Sequence, residues 1–165
     1  MPSPFDAELI TKATRIIETC AARGIMIATA ESCTGGLVAG LLTEISGSSA
    51  VVDRGFVTYS NEAKQDMLGV PADTLAEYGA VSKAVAMAMA EGALKHSRAT
   101  ITVAITGIAG PTGGSADKPV GLVHFGCVKS GETTNHVEQR FGNIGRNEVR
   151  RAAINCALDL ILARL

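Results

Sequence analysis

An α/β fold, with a parallel sheet extended by an antiparallel hairpin, is predicted by three features of this 165-residue sequence. First, the apolar run Ile25-Met-Ile-Ala-Thr-Ala-Glu31 leads into Ser32-Cys-Thr-Gly-Gly36 and then Leu37-Val-Ala-Gly-Leu-Leu42, the pattern of a buried parallel strand, a turn and a packed helix. Second, Thr100-Ile-Thr-Val-Ala-Ile105 is another apolar strand, ending in the Gly-rich Thr106-Gly-Ile-Ala-Gly-Pro-Thr-Gly-Gly-Ser115. Third, Val120 to Val128, the turn Lys129-Ser-Gly-Glu132 and Thr133 to Phe141 alternate as an antiparallel hairpin does. Ligands of open α/β sheets bind at the carboxyl ends of the strands, so the two turns that end the parallel strands are where chemistry is expected.

Composition narrows the function classes. With 47% apolar residues the chain is expected to be globular and to bury surface in a homo-oligomer. Eighteen glycines, no Trp and 4% aromatics imply a core of Ala, Val, Ile and Leu held by close backbone approach. A net charge of −1 with no basic block gives nucleic-acid binding no electrostatic support. The amino terminus lacks the regions of a signal peptide and no apolar run approaches a membrane span, so a cytoplasmic protein without membrane contact is expected. Cys20, Cys33, Cys127 and Cys156 are too dispersed for a disulfide framework or zinc site, and His96, His124 and His136 lack metal-ligand spacing. The expected mechanism therefore uses neither metal nor cofactor.

Taken in order, Ser3-Pro4 followed by Ile10, Ala13, Ile16, Ile17 and Cys20 predicts a capped amphipathic helix ending near Gly24. The turn after the first strand offers Ser32, Cys33 and Thr34 together, which serve either as helix caps or as nucleophiles beside a helix start. The next helix should run to about Ile45 and stop at Gly47, where Gly47-Ser48-Ser49 forms a further polar cluster: a simple helix end, or part of a site if it approaches Ser32. Phe56-Val-Thr-Tyr59 reads as a strand, with Ser60 or Asn61 capping the helix that follows. Lys64 then falls in a first helical turn, where the dipole disfavours a cation. It is either a solvated surface lysine or a base of lowered pKa.

A short helix over Pro71 to Tyr78 precedes a longer one from Ser82 to about His96, whose Val85, Met89 and Ala93 share a core face. The Gly-rich loop from Thr106 is neither a P-loop nor a Rossmann fingerprint. Arg146 opens the closing helix; it either pairs with neighbours such as Glu148 or binds a phosphate or carboxylate.

Several motifs recur in one order: Ala30-Glu-Ser-Cys-Thr-Gly-Gly36, Gly47-Ser-Ser49, Gly55-Phe-Val-Thr-Tyr-Ser-Asn-Glu-Ala-Lys64, Tyr78-Gly-Ala-Val-Ser82, and Gly107-Ile-Ala-Gly-Pro111 through Lys118-Pro-Val-Gly121. On these the chain closely resembles the CinA carboxy-terminal domain family, whose members include nicotinamide mononucleotide deamidases. The resemblance spans nearly the whole chain. It implies one stand-alone amidohydrolase domain over residues 1–165, in a three-layer α/β/α fold with a mixed, mostly parallel sheet. Larger members carry an additional domain resembling molybdopterin-binding proteins.

The implied activity is hydrolysis of the carboxamide of nicotinamide mononucleotide by a Ser/Lys pair, mapping onto Ser32 and Lys64. A serine hydroxyl is a weak nucleophile, and a desolvated neutral lysine can take its proton. Gly47, Ser48, Ser49, Tyr59, Thr106 and Arg146 complete the implied site, with backbone amides around Thr34, Gly35 and Gly36, or around Gly47 to Ser49, as the oxyanion donors. Ser48, Ser49 and Cys33 stand as alternative nucleophiles. Glu31 has three possible roles: substrate ligand, partner of Lys64, or acceptor for turn amides. Gly142-Asn-Ile-Gly-Arg146 is longer than the family's Gly-Asp-Arg, which leaves the reach of Arg146 open. Outside enzymes, the same glycine-rich turns suit a non-catalytic nucleotide-binding or regulatory module.

Overall fold

The computed structural model describes residues 2–165. Along the chain it forms α1 (Ala7–Arg23), β1 (Ile27–Glu31), α2 (Leu37–Glu44), a short 3-10 turn at Ser48–Ala50, β2 (Val52–Val57), α3 (Asn61–Leu68), α4 (Ala72–Tyr78), α5 (Lys83–Lys95), β3 (Ile101–Gly107), β4 (Leu122–Lys129), β5 (Asn135–Arg140) and α6 (Arg146–Leu162). The five strands make one mixed sheet in the order β2-β1-β3-β4-β5. β1 lies parallel to β2 on one side and to β3 on the other, and β4 and β5 add antiparallel beyond β3. The expected hairpin thus extends one edge of a parallel core.

All five residues of β1 are buried, as a strand covered on both faces requires. Its alternate side chains enter two separate cores. Ile27, with Ile101, Val103 and Ile105 of β3, packs with apolar residues of α1, α2 and α6. Ala28 and Ala30, with Ala104, face Leu68 of α3, Leu75 of α4 and Val85, Met89 and Ala93 of α5. On this face β1 and β3 contribute alanines, and glycines in α5 and β4 let backbones approach closely. A Cβ on Gly92 of α5 would lie 2.0 Å from the Leu68 carbonyl oxygen, and one on Gly126 of β4 would lie 2.4 Å from that of Ala86. Glycine is required at both places for steric reasons.

Two boundaries differ from the sequence reading. The first helix is capped by Asp6, whose Oδ1 accepts from the Leu9 N–H at 3.0 Å, while Ser3 Oγ accepts locally from Phe5 N–H. The second strand covers 52–57 rather than Phe56 to Tyr59. β2 is an outer strand and Val52-Asp-Arg-Gly has no clean alternation. Beyond Val57 the Thr58 and Tyr59 carbonyls turn away from the ladder to accept from Lys64. Gly24 ends α1 in the left-handed region, and Ser60 and Ser82 cap α3 and α5, as read from sequence.

Candidate active site

The carboxyl ends of β1, β2 and β3 converge on a cavity of about 200 Å³ lined by Ser32, Cys33, Tyr59, Lys64, Ala80, Val81, Thr106, Gly107, Ala109 and Arg146. Ser32 follows β1 directly, and its N–H donates to the Ile105 carbonyl of β3 at 3.0 Å, which fixes the turn to the sheet. Ser60 accepts from Ala63 N–H and starts α3, so Lys64 projects inward from the first turn of that helix.

Lys64 is 1% exposed, an unusual state for a lysine. Its Nζ lies 3.1 Å from Ser32 Oγ, 2.8 Å from the Thr58 carbonyl oxygen and 3.3 Å from that of Tyr59. Among the described residues no carboxylate lies within ion-pair distance of it. Burial without a counter-charge disfavours the ammonium form and lowers the pKa from its usual value. A neutral amine has two N–H bonds and one lone pair. The two carbonyls can only accept, so they take the two N–H bonds. In that form the lone pair is left for the Ser32 hydroxyl, whereas the ammonium form donates its third N–H to Ser32 Oγ at 3.1 Å.

Glu31 is fully buried, and it does not line the cavity. Its Oε1 accepts from Thr34 Oγ1 at 2.7 Å and Val38 N–H at 2.9 Å; its Oε2 accepts from Ala39 N–H at 3.1 Å and Thr29 Oγ1 at 3.2 Å. The carboxylate therefore closes the amino end of α2, whose glycine at the cap position has no side chain to do so. Of the three roles left open for Glu31, this geometry matches the acceptor for turn amides. Thr34 is buried with its hydroxyl on Glu31, and Gly35 and Gly36 supply the positive φ angles (59° and 96°) that the turn needs.

Cys33 lines the cavity but is buried and packs with the apolar core, and this burial pushes its thiol up to about 12. The sequence suggested a thiol acidified by a helix start. The structure corrects that reading, because the helix amides are already bonded to Glu31.

The remaining expected residues divide into two groups. Tyr59, 64% exposed, lines the cavity mouth, and its carbonyl holds Lys64. Thr106 is buried; its hydroxyl donates to the Ala80 carbonyl at 2.8 Å and so ties the α4–α5 connection over the cavity. Arg146 reaches the cavity despite the longer spacing before it, and its Nη1 donates to the Gly110 carbonyl of the Gly-rich loop at 2.9 Å. Gly47, Ser48 and Ser49 are elsewhere. They precede β2, at the opposite edge of the sheet from Ser32. Parallel pairing of Ile27 with Val52 leaves the five residues of β1 between them, about 16 Å at 3.3 Å per residue. Ser48 Oγ instead donates to the Thr43 carbonyl at 3.5 Å.

Sequence reasoning did not select Ala80, Val81, Gly107 and Ala109 as cavity walls, although they lie within or beside quoted motifs. It also passed over Arg150, whose Nε donates to the Cys33 carbonyl at 3.1 Å. The available signal was its spacing of four residues from Arg146, which places both on one helix face.

Comparison with known proteins agrees with this architecture. Residues 10–165 match the model of the CinA C-terminal domain. The nicotinamide-nucleotide amidohydrolase PncC of Escherichia coli strain K12 is 50% identical over 157 residues, 94% of each chain. A CinA-like protein of Syntrophobacter fumaroxidans is 53% identical over 84% of this chain but only 32% of its own. Among solved structures, the competence/damage inducible protein CihA from Agrobacterium tumefaciens superposes with a TM-score of 0.97 at 56% identity, covering 98% of both chains. A CinA superfamily protein from Klebsiella pneumoniae gives a TM-score of 0.88 at 37% identity, over 95% of this chain and 99% of its own. With a family match over nearly its whole length, the chain belongs to the CinA C-terminal domain family.

Proposed function

We propose that the protein hydrolyses the carboxamide of nicotinamide mononucleotide to nicotinate mononucleotide and ammonia, with Ser32 as nucleophile and Lys64 as general base. The observation that carries this reading is the 3.1 Å contact between Ser32 Oγ and a buried Lys64 amine that has no carboxylate partner. A binding module has no need of that pair. The substrate is supported by the half-identical relative named as a nicotinamide-nucleotide amidohydrolase.

Ser32 Oγ attacks the carboxamide carbon and its proton passes to Lys64 Nζ. Collapse of the tetrahedral intermediate breaks the C–N bond, and Lys64 returns the proton to the departing ammonia. Water then adds to the acyl-enzyme, losing a proton to Lys64, and the Ser32 Oγ–acyl bond breaks as Lys64 returns that proton to Ser32 Oγ, releasing the acid. The cavity of about 200 Å³ lies below the ~300 Å³ of a typical drug-sized site. It suits the reactive pyridine end, with the ribose phosphate extending past Tyr59 toward Arg146 and the Gly-rich loop. The protein is further read as a cytoplasmic homo-oligomer of this single domain. The exposed apolar side chains of Val57 and Met67 support this with surface that another copy would cover.

Ammonia release from nicotinamide mononucleotide by metal-chelated wild type, Ser32→Ala and Lys64→Ala tests the reading. Turnover by wild type and a loss of at least ~10³-fold in each variant are expected. Wild-type protein that binds the nucleotide without releasing ammonia would leave the binding-module reading in its place.

A further inference from the structure

The turn that carries Ser32 is gripped from behind by a residue outside the cavity lining. Arg150 follows Arg146 by one helical turn on α6. Its Nε donates to the Cys33 carbonyl at 3.1 Å and its Nη2 to the Thr34 carbonyl at 3.4 Å. Among the described residues it has no carboxylate within ion-pair distance, and both of its side-chain hydrogen bonds go to the turn.

Most backbone groups of this turn are engaged within the protein. The Ser32 N–H donates to Ile105, the Ser32 carbonyl accepts from Gly35 N–H, and the Thr34 carbonyl accepts from Leu37 N–H as well as from Arg150. Among the described residues, the N–H groups of Cys33 and Thr34 meet no acceptor on another residue. N–H groups of a buried turn that meet no acceptor on another residue are rare in folded proteins. These two immediately follow the nucleophile, where the oxygen of a tetrahedral intermediate needs donors. The Thr34 N–H belongs to the same peptide unit as the Cys33 carbonyl. A guanidinium bonded to that carbonyl therefore fixes the orientation of the unit and polarises it, strengthening its N–H as a donor.

We infer that Arg150 is a positioning residue that acts through the Cys33–Thr34 peptide to set the oxyanion donors for acyl transfer at Ser32. The inference rests on the amidohydrolase reading and adds a residue to it.

The test compares wild type with Arg150→Ala, Arg150→Gln and Arg150→Lys in two assays. One is steady-state turnover of nicotinamide mononucleotide. The other is acylation of Ser32 by p-nitrophenyl acetate, in which the Ser32 Oγ–acyl bond forms as p-nitrophenolate leaves, followed by mass spectrometry. Arg150→Ala should lower kcat and the acylation rate by about 30-fold or more, with KM changed by less than about threefold. Guanidinium ion at tens of millimolar should restore part of the lost rate in Arg150→Ala and none in wild type. Acylation and kcat within threefold of wild type in the Ala variant would overturn the inference, as would a loss confined to KM. If Arg150→Ala fails to fold, the other two variants decide: Lys must retain several-fold more kcat than Gln, and equal rates refute the positioning role. Wild type that is inert on the nucleotide yet acylates with the full Arg150 dependence would sink the substrate reading and leave this inference standing. Wild type inert in both assays would overturn both.

Discussion

Replacing Glu31 with glutamine changes one oxygen to an amide nitrogen and almost no volume, and it separates an anchor of the Ser32 turn from a substrate ligand. Each carboxylate oxygen accepts from one threonine hydroxyl and one α2 backbone amide. Whichever way the Gln amide is turned, its NH2 faces one hydroxyl and one N–H. The hydroxyl can rotate to accept, but the N–H cannot. One charge-assisted bond worth about 1.5–3 kcal/mol is lost, and a buried donor is left facing another donor. Partial relaxation leaves a destabilisation of about 2–4 kcal/mol. At roughly 2–4 °C per kcal/mol for a chain of this size, Tm should fall by about 4–16 °C. Urea and thermal denaturation of the purified variant measure both, and kcat should fall too, because the same bonds hold the Ser32 turn. A Glu31→Gln variant within ~0.5 kcal/mol of wild type but with raised KM would refute the anchor and restore the substrate-ligand reading.

Three further outcomes are expected. Lys64 has its folded-state pKa lowered by burial, so the unfolded chain holds more protons between that value and 10.5. Stability should therefore rise with pH across that window, and kcat/KM should rise as the amine deprotonates; a profile that falls over the same range contradicts a lysine base. Cys33, with its thiol pushed up to about 12, should resist alkylation by iodoacetamide at pH 8 in the folded enzyme. Cys33→Ala should also keep turnover within about tenfold of wild type, since it removes only a wall atom, and complete loss would reopen a thiol nucleophile. Gly92→Ala would place a methyl carbon 2.0 Å from the Leu68 carbonyl oxygen at the end of α3, the helix that carries Lys64. A loss of about 1–3 kcal/mol in chemical denaturation is expected, and a neutral result would show that α3 and α5 can separate freely.

Local patterns carried much of this structure because their causes lie within a few residues. The apolar run to Glu31 is a strand buried on both faces, Gly24 needs only its own φ of 65°, and Ser60 and Ser82 cap helices by reaching the N–H three residues on. β2 was harder to read, since an outer strand has no strict apolar alternation and is held by partners distant in sequence. Asp6 displaced Ser3 as the first cap for a similar reason: several residues were chemically suited, and the helix start selected among them.

The site shows the same division. By its own residues the sequence determined that Ser32 would end a buried strand and that Lys64 would fall in the first turn of a helix, because periodicity and capping are short-range properties. Only the tertiary structure decided that these two, 32 residues apart in sequence, meet at 3.1 Å, and that Gly47, Ser48 and Ser49 lie across the sheet from them. Parallel register brings the carboxyl ends of neighbouring strands together and sends the segments before them to the opposite edge. Burial, likewise a property of the assembled fold, then lowers the pKa of the Lys64 amine and raises that of the Cys33 thiol beside it in the same cavity.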